Sequence, residues 1–517
     1  MPSVFSLIYR LNNISSGDRS NLRTRTVRLN LSRRTSKFTL LFFGFIFSVF
    51  AALETPAMAA GAYTGCAAPP SSFTKSFTAT PTTFSSILNT AAAGDVIYLN
   101  SGAYGAVSIS GKKYAQFLTI KAGSGQTPVL SSLTVNSVSH MVFSGLTING
   151  NGVRSKSPGG TLVALSSSNN VVFQNNIVES TSGNFPWEPE TTDETAINAS
   201  IAPSDGVIAS QDYCVALNSN QIKNVFNAIG VGGDQVGTDG QNYMVADNTI
   251  DHFAGDGIDF EVTNIVIEGN RITNALDICG SKCIHNDGIQ GWNWEDKSGI
   301  TNKNVVIDSN YIQSQTAANL PLAVALQGID IFDGFWDNVS ITNNIVLVSS
   351  NTGISIAGVN GLHIINNTVM DIPLNGVSQS QAYWMYSGMT WITAGGTTHE
   401  GGATSNVIVR NNIAPLIAAT AAASGNCPVT ESFCSSKTNP NVEMDHNLSL
   451  VQTKYTAANL FVTFNTSAAQ YNLELKGTAS TDPAIGTGNA SLMPATDFLG
   501  HARSASSPDL GAYGVPP

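Results

Sequence analysis

The chain reads Asp256-Gly257-Ile258-Asp259 and, one loop later, Asp287-Gly288-Ile289-Gln290. Related phrases follow at Gln327-Gly328-Ile329-Asp330, Thr352-Gly353-Ile354-Ser355 and Asn375-Gly376-Val377-Ser378. Side chains alternate between faces along a strand, so each phrase sends its Ile or Val to one side and the next polar residue to the other. Stacked in register, these strands align Asp259, Gln290, Asp330, Ser355 and Ser378 as one outward column. Asp256 and Asp287 fall at its edge. That column is the expected working surface.

A second phrase, apolar-x-apolar-x-x-Asn, sets the architecture. Its asparagines are Asn176, Asn220, Asn248, Asn270, Asn310, Asn344, Asn367 and Asn412, at spacings of 44, 28, 22, 40, 34, 23 and 45 residues. A period near 22, lengthened irregularly, is the pattern of a solenoid carrying loop insertions. The asparagine suits a sharp turn between strands, and stacked Asn side chains can hydrogen-bond along the stack. The fold class expected is all-β: a single right-handed parallel β-helix spanning 84–517, after a linker over 60–83.

Composition agrees with that reading and narrows function. Of 517 residues, 47 are Gly and only 11% are charged, which suits a turn-rich β-protein rather than a disordered one. Six basic residues from Arg23 to Lys37 precede the apolar run Phe38–Leu53, and Ala57-Met58-Ala59 offers a small-x-small cleavage site. Residues 1–59 therefore read as an export signal with a long basic leader, an uncleaved anchor being the alternative. The product is expected in the periplasm or the medium, as a monomer off the membrane. Without 1–59 the chain has 16 basic and 33 acidic residues, a formal charge of −17, which argues against nucleic acid as a partner. Cys66, Cys214, Cys279, Cys283, Cys427 and Cys434 all follow the signal, and an even count in an exported chain favours disulfides. Cys279/Cys283 and Cys427/Cys434 are each close enough to pin a small loop, with a zinc site as the rival.

Asn-turn phrases alternating with Gly-Ile phrases resemble the right-handed parallel β-helix of pectate lyases, alginate lyases, chondroitinase B and polygalacturonases, the pectin lyase-like superfamily. Ile87-Leu88, Ala93-Gly94-Asp95-Val96-Ile97-Tyr98-Leu99 and Gly102-Ala103-Tyr104 resemble the first coil of the chondroitinase B and alginate lyase group. The closing segment, Asp497 to Arg503 and Pro508 to Tyr513, resembles the end of many secreted β-helices. The resemblance covers roughly residues 84–515 and implies a polysaccharide site on the outer face of one parallel sheet. Residues 180–212, 274–284, 380–404 and 418–440 break the rhythm and read as loops walling that face.

The neighbourhood of the column then holds Asp256, Asp259, Glu261, Lys282, His285, Asp287, Gln290, Trp292, Asp330 and Asp333. Asp is disfavoured inside strands, so Asp259 and Asp330 invite a chemical reading, whereas Asp-Gly at 256 and 287 is also a plain turn signal. Three activities compete. The first, and the one favoured by the resemblance, is β-elimination on a uronate glycan. Lys282, His285 or Arg271 would serve as base or stabiliser, and Asp256, Asp287 and Asp333 would hold Ca²⁺ through hard oxygens. The second is inverting hydrolysis by Asp259 and Asp330, two coils apart, with Asn286-Asp287-Gly288-Ile289 similar to a polygalacturonase phrase. The third is a non-catalytic glycan-binding surface with Trp292, Trp294, Phe332 and Trp336 against sugar rings, whereas Gln290 lines the groove as a substrate-binding residue in either route of cleavage. For Trp294 and Trp336 core or loop packing is the better expectation, as a structural role is for His252, His363 and Arg410.

Overall fold

The computed structural model describes residues 63, 65–151, 160–182, 204–232, 240–276, 285–292, 301–318, 320, 323–374, 389–398, 401–420, 441–478 and 481–515. Among them, three parallel ladders wind along the chain. One sheet of 13 strands runs in sequence order from Ser76–Ala79 to Val442–Asp445. The other two ladders join in a second sheet and alternate with the first, so each coil contributes one strand to each ladder. One coil, for example, is Thr263–Glu268, Arg271–Ala275 and Asp287–Gly291. This is the expected parallel β-helix. The sheet begins at Ser76–Ala79, a strand inside the stretch expected as a linker, which pairs with Val96–Leu99.

The core follows from the alternation. Ile265, Ile267, Val305, Ile307, Val339 and Ile341 from the first ladder meet Ile250, Ile272, Ile312, Ile258, Ile289 and Ile329 from the other two, all fully buried. Helix α1, Phe84–Thr90, lays Phe84 and Leu88 on the core near its first coils. Near the other end, Leu460, Phe461, Leu473, Leu510 and Ala512 cover the outward Ile345, Leu347, Met370 and Leu448.

The asparagine series forms the ladder its spacing suggested. Each Oδ1 accepts the backbone N–H and the side-chain Nδ2–H of the preceding Asn, as for Asn270 on Asn310 at 3.0 and 2.9 Å. The other Nδ2 hydrogen caps a strand-end carbonyl, as Asn310 does for Ile267 at 2.9 Å. The ladder runs on from Asn412 to Asn447 at 3.0 Å, a step outside the phrase as read. The turn itself is made one residue earlier. Asn175, Ser219, Asp247, Ser309, Asn343, Asn366 and Asn411 take positive φ, near +55°, and thereby swing the following Asn inward. A buried amide there satisfies several backbone groups that the bend leaves without strand partners.

Cys66 is bonded to Cys214, 148 residues away. Together with Ala67 N–H on Asn170 Oδ1 at 3.0 Å, this bond straps the N-terminal stretch to the first sheet. Tyr63 lies there on a second, outward apolar stripe that includes Val142, Val172, Ala216, Val266 and Val306. Cys279, Cys283, Cys427 and Cys434 lie outside the described residues.

Candidate functional site

Five strands of one ladder build the site: β1 (Ile258–Phe260), β2 (Asp287–Gly291), β3 (Gln327–Ile331), β4 (Thr352–Ile356) and β5 (Trp391–Gly395). Their register places Asp259 on Gln290, Gln290 on Asp330, Asp330 on Ser355 and Ser355 on Thr393. The outward column is thus formed as expected up to Ser355. Its next member is Thr393 rather than Ser378, which lies outside the described residues. The stretch expected as an excursion over 380–404 therefore contains a ladder strand, missed because Trp391-Ile392-Thr393 lacks the Gly-Ile phrase.

The glycines explain why the phrase recurs, and the reason is not the turn conformation. Gly257, Gly288, Gly328 and Gly353 all have ordinary φ. A Cβ on Gly288 would lie 2.7 Å from the Gly328 carbonyl oxygen and 2.7 Å from an Ile312 methyl. One on Gly328 would reach the Gly353 oxygen at 2.0 Å, and one on Gly257 the Gly288 oxygen at 2.6 Å. Close stacking at this bend excludes a side chain. The flanking positions carry the chemistry instead, so a second row, Asp256, Asp287, Gln327 and Thr352, runs beside the column.

Hydrogen bonds tie that row together. The Asn227 Oδ1 accepts the Asp256 N–H at 2.9 Å, and Asp256 Oδ1 accepts the Asp287 N–H at 2.9 Å. Thr352 Oγ1 donates to Gln327 Oε1 at 2.8 Å, and Trp391 Nε1 donates to Ser355 Oγ at 3.1 Å. His285 Nδ1 lies 2.8 Å from Asp287 Oδ2, with a quarter of the imidazole exposed and the carboxylate fully buried. Asp330 is also fully buried; neither of its oxygens makes a well-formed hydrogen bond, although the Asp287 carboxyl and the Thr352 hydroxyl lie close enough to act on it. Asp287 Oδ1 and Asp259 Oδ1 are likewise buried and unpartnered.

Such crowding sets the protonation states. Burial, then the charge of Asp287, pushes Asp256 up to about 7. Burial, with the charges of Asp256 and Asp287, raises Asp259 well above the carboxylate range, against the pull of the Trp292 side chain. Burial and the charge of Asp287 do the same to Asp330. In the opposite sense, the Asp287 charge outweighs burial at His285 and raises it to about 9. The site therefore gathers carboxyls whose protonated form is favoured by burial, at Asp256, Asp259 and Asp330, around an imidazole whose protonated form is favoured.

The remaining expected residues divide. Trp292 follows β2 half-buried, and Phe332 and Asp333 follow β3, also half-buried. Asp333 adds to the charge that raises His285. Arg271 belongs to another ladder and stacks over Tyr311, its guanidinium carbon 4.3 Å from the ring centre. Trp336 is core, edge-on to Phe260 with centroids 5.4 Å apart. Lys282 and Trp294 lie outside the described residues. Of the trio expected to hold calcium, two carboxyls already commit one oxygen each. One oxygen of Asp256 already takes the Asp287 N–H, and one of Asp287 takes His285. Among the described residues, no group of three or more His, Cys, Asp or Glu side chains is arranged to hold a metal ion. Gln327, Thr352 and Trp391 were not singled out. The first two stand directly before a quoted glycine, the same place as Asp256 and Asp287, and that offset was the available signal.

No protein-family model matches the chain, and no curated protein matches it. Solved structures similar to it include pectate lyase Pel9A, at 13% identity over 86% of this chain and 96% of that one, with a TM-score of 0.43. An alginate lyase from Paenibacillus sp. str. FPU-7 is similar at 16% identity over 58% and 94%, with a TM-score of 0.34. The Dettilon tailspike protein is similar at 14% identity over 66% and 58%, with a TM-score of 0.44.

Proposed function

We propose that this chain is an exported glycan-cleaving enzyme that hydrolyses a glycosidic bond over the Asp259–Asp330 column. The observation that carries the reading is Asp330, a fully buried strand carboxyl packed beside the Asp287 carboxyl with no well-formed hydrogen bond to either oxygen. Burying such a group costs free energy with no structural return in sight, and perturbed carboxyls of this kind concentrate at active sites.

Asp259, partly exposed and with its protonated form favoured by burial, donates its proton to the leaving glycosidic oxygen. Asp287 and Asp330 act as one dyad sharing a proton, as like carboxyls in contact do. With His285 balancing its negative charge, the dyad accepts a proton from the attacking water. Consecutive coils stack at about 4.8 Å, so Asp259 is separated from this pair by one to two coils, roughly 5–10 Å between backbones. That range brackets the roughly 6.5–9.5 Å between carboxyls that leaves room for water in an inverting mechanism. Asp256 holds Asp287 through its backbone N–H and is a positioning residue.

A second reading, β-elimination on a uronate, keeps one supporting observation. The His285 imidazolium is a cation at the column and could face a substrate carboxylate. Asp259→Asn and Asp330→Asn decide between catalysis and mere binding. Each is expected to lower turnover by about 10²–10⁴ while glycan retention survives. Unchanged turnover in both variants would refute the assignment.

A further inference from the structure

We infer that the column is a groove open at one end only: the glycan lies along its earlier coils and stops against Trp391, so chains are cut at an end and not within. This deepens the glycan-cleaving reading above and rests on it, though on neither route of cleavage.

The column extends further than the chemistry needs. Register carries it back from Asp259 to Gly230, Ile208, Ala164, Thr134 and Ser108. Every one of these, like Asp259 and Gln290, is half-buried or exposed. Strands of one ladder repeat at about 4.8 Å, so the stretch from Ser108 to Gln290 is an open track roughly 30 Å long. It carries no charge before Asp259. A Cβ on Gly230 would lie 2.8 Å from Ile208 Cδ1, so the Ile208 side chain leans across the glycine and the two make one smooth apolar plate beside Asp259. Small hydroxyl and apolar side chains leave room for a chain of pyranose rings, whose C–H faces pack on such a plate.

The exposure ends abruptly. Asp330 and Ser355, the next two positions, are 0% and 1% exposed. Trp391 stands there: it pairs with Thr352 in register, and its indole N–H reaches sideways to Ser355 Oγ at 3.1 Å. That bond fixes a half-buried indole across the column. The column surfaces again at Thr393 and Ala418, so the block is local and the indole marks it. Asp330 is two coils beyond Asp259, roughly 10 Å, which leaves space for about one or two sugar units past Asp259. An interior stretch of polymer would have to pass through the indole, whereas a chain end fits against it.

The test uses the full-length exported protein and a panel of neutral and uronate polymers: mannan, galactan, alginate and pectate. Viscosity, reducing ends and the size of the first products are recorded together for wild type, Trp391→Ala and the conservative Trp391→Phe. Wild type is expected to release mono- or disaccharides while viscosity holds. Trp391→Ala should lower the ratio of chain-end to internal cuts by about tenfold, with Trp391→Phe close to wild type. A second measurement needs no cleavage. One polymer, hydrolysed by acid to a series of mean lengths, is offered at equal mass, and retention should rise in proportion to the number of chain ends. Early loss of viscosity with long first products, product sizes unchanged in a folded Trp391→Ala, or retention independent of length overturns the inference. The two claims fail separately. Internal cutting that is lost in Asp330→Asn overturns the closed end alone. Retention by chain ends with no cutting of any polymer overturns cleavage alone.

Discussion

Replacing His285 by Gln removes the imidazolium that balances Asp287 while keeping a side chain of similar length. The shift from 6.5 to about 9 corresponds to at most about 3.5 kcal/mol of interaction between the charged ring and its surroundings, at about 1.4 kcal/mol per unit. Part of this is recovered in the variant, because Asp287 and its neighbours can take up a proton once the cation is gone. The sign is fixed by linkage. His285 binds its proton more tightly folded than unfolded, so its stabilisation is complete below pH 6.5 and fades as pH rises through about 9. Urea unfolding of wild type and His285→Gln between pH 5 and 10 should show a gap of about 1–3 kcal/mol near pH 6 that closes by pH 10. Proton titration of His285 by NMR supplies an independent value. A gap independent of pH, or one that widens toward pH 10, would refute the ion pair.

Other expectations use the same structure. Asp330→Asn should raise stability at pH 8 by about 1–3 kcal/mol, because it removes a buried carboxyl that must otherwise stay protonated or ionise without a donor. The wild-type penalty grows as pH climbs above the ordinary carboxylate value, so the gain should shrink toward pH 4, and urea midpoints at the two values check this. Gly288→Ala places a methyl against the Gly328 oxygen and Ile312, and should cost about 2–4 kcal/mol while displacing Asp287 and lowering turnover. Asn310→Ala should cost about 2–4 kcal/mol in thermal or urea unfolding, since it strips acceptors from Asn270 and leaves the Ile267 carbonyl without its donor. Cys66→Ser should destabilise by about 2–5 kcal/mol, with a lowered phenol pKa for Tyr63 as its stripe opens to water.

The fold was legible because stacking makes every coil repeat the same constraints. Ile258, Ile289, Ile329 and Ile354 must point inward, and a buried Asn must follow each first-ladder bend, so the phrase survives insertions of any length. The β5 strand lacks the phrase because the register slips between Thr352 and Ile354, so Trp391 pairs with Thr352 and no residue of β5 stands opposite Gly353. The column of Asp259, Gln290 and Asp330 was legible from alternation alone. Burial was not. Asp-Gly at 287 has the sequence of an exposed turn, yet the glycine is demanded by the Gly328 oxygen and the aspartate is fully buried. Nor could spacing foresee that Arg271 would stack on Tyr311, or that Cys66 would find Cys214 across 148 residues. Such contacts depend on which coils become neighbours, a sum over all the intervening insertions.

The central claim is cleavage by carboxyl acid–base chemistry, and the chemical form of the fresh product tests it most directly. Digests of the neutral and uronate panel should be followed by NMR of the new reducing-end anomer together with ultraviolet absorbance. The account requires saturated products that appear first in the inverted configuration and disappear in Asp259→Asn. Unsaturated, ultraviolet-absorbing uronates would contradict it and return the site to β-elimination.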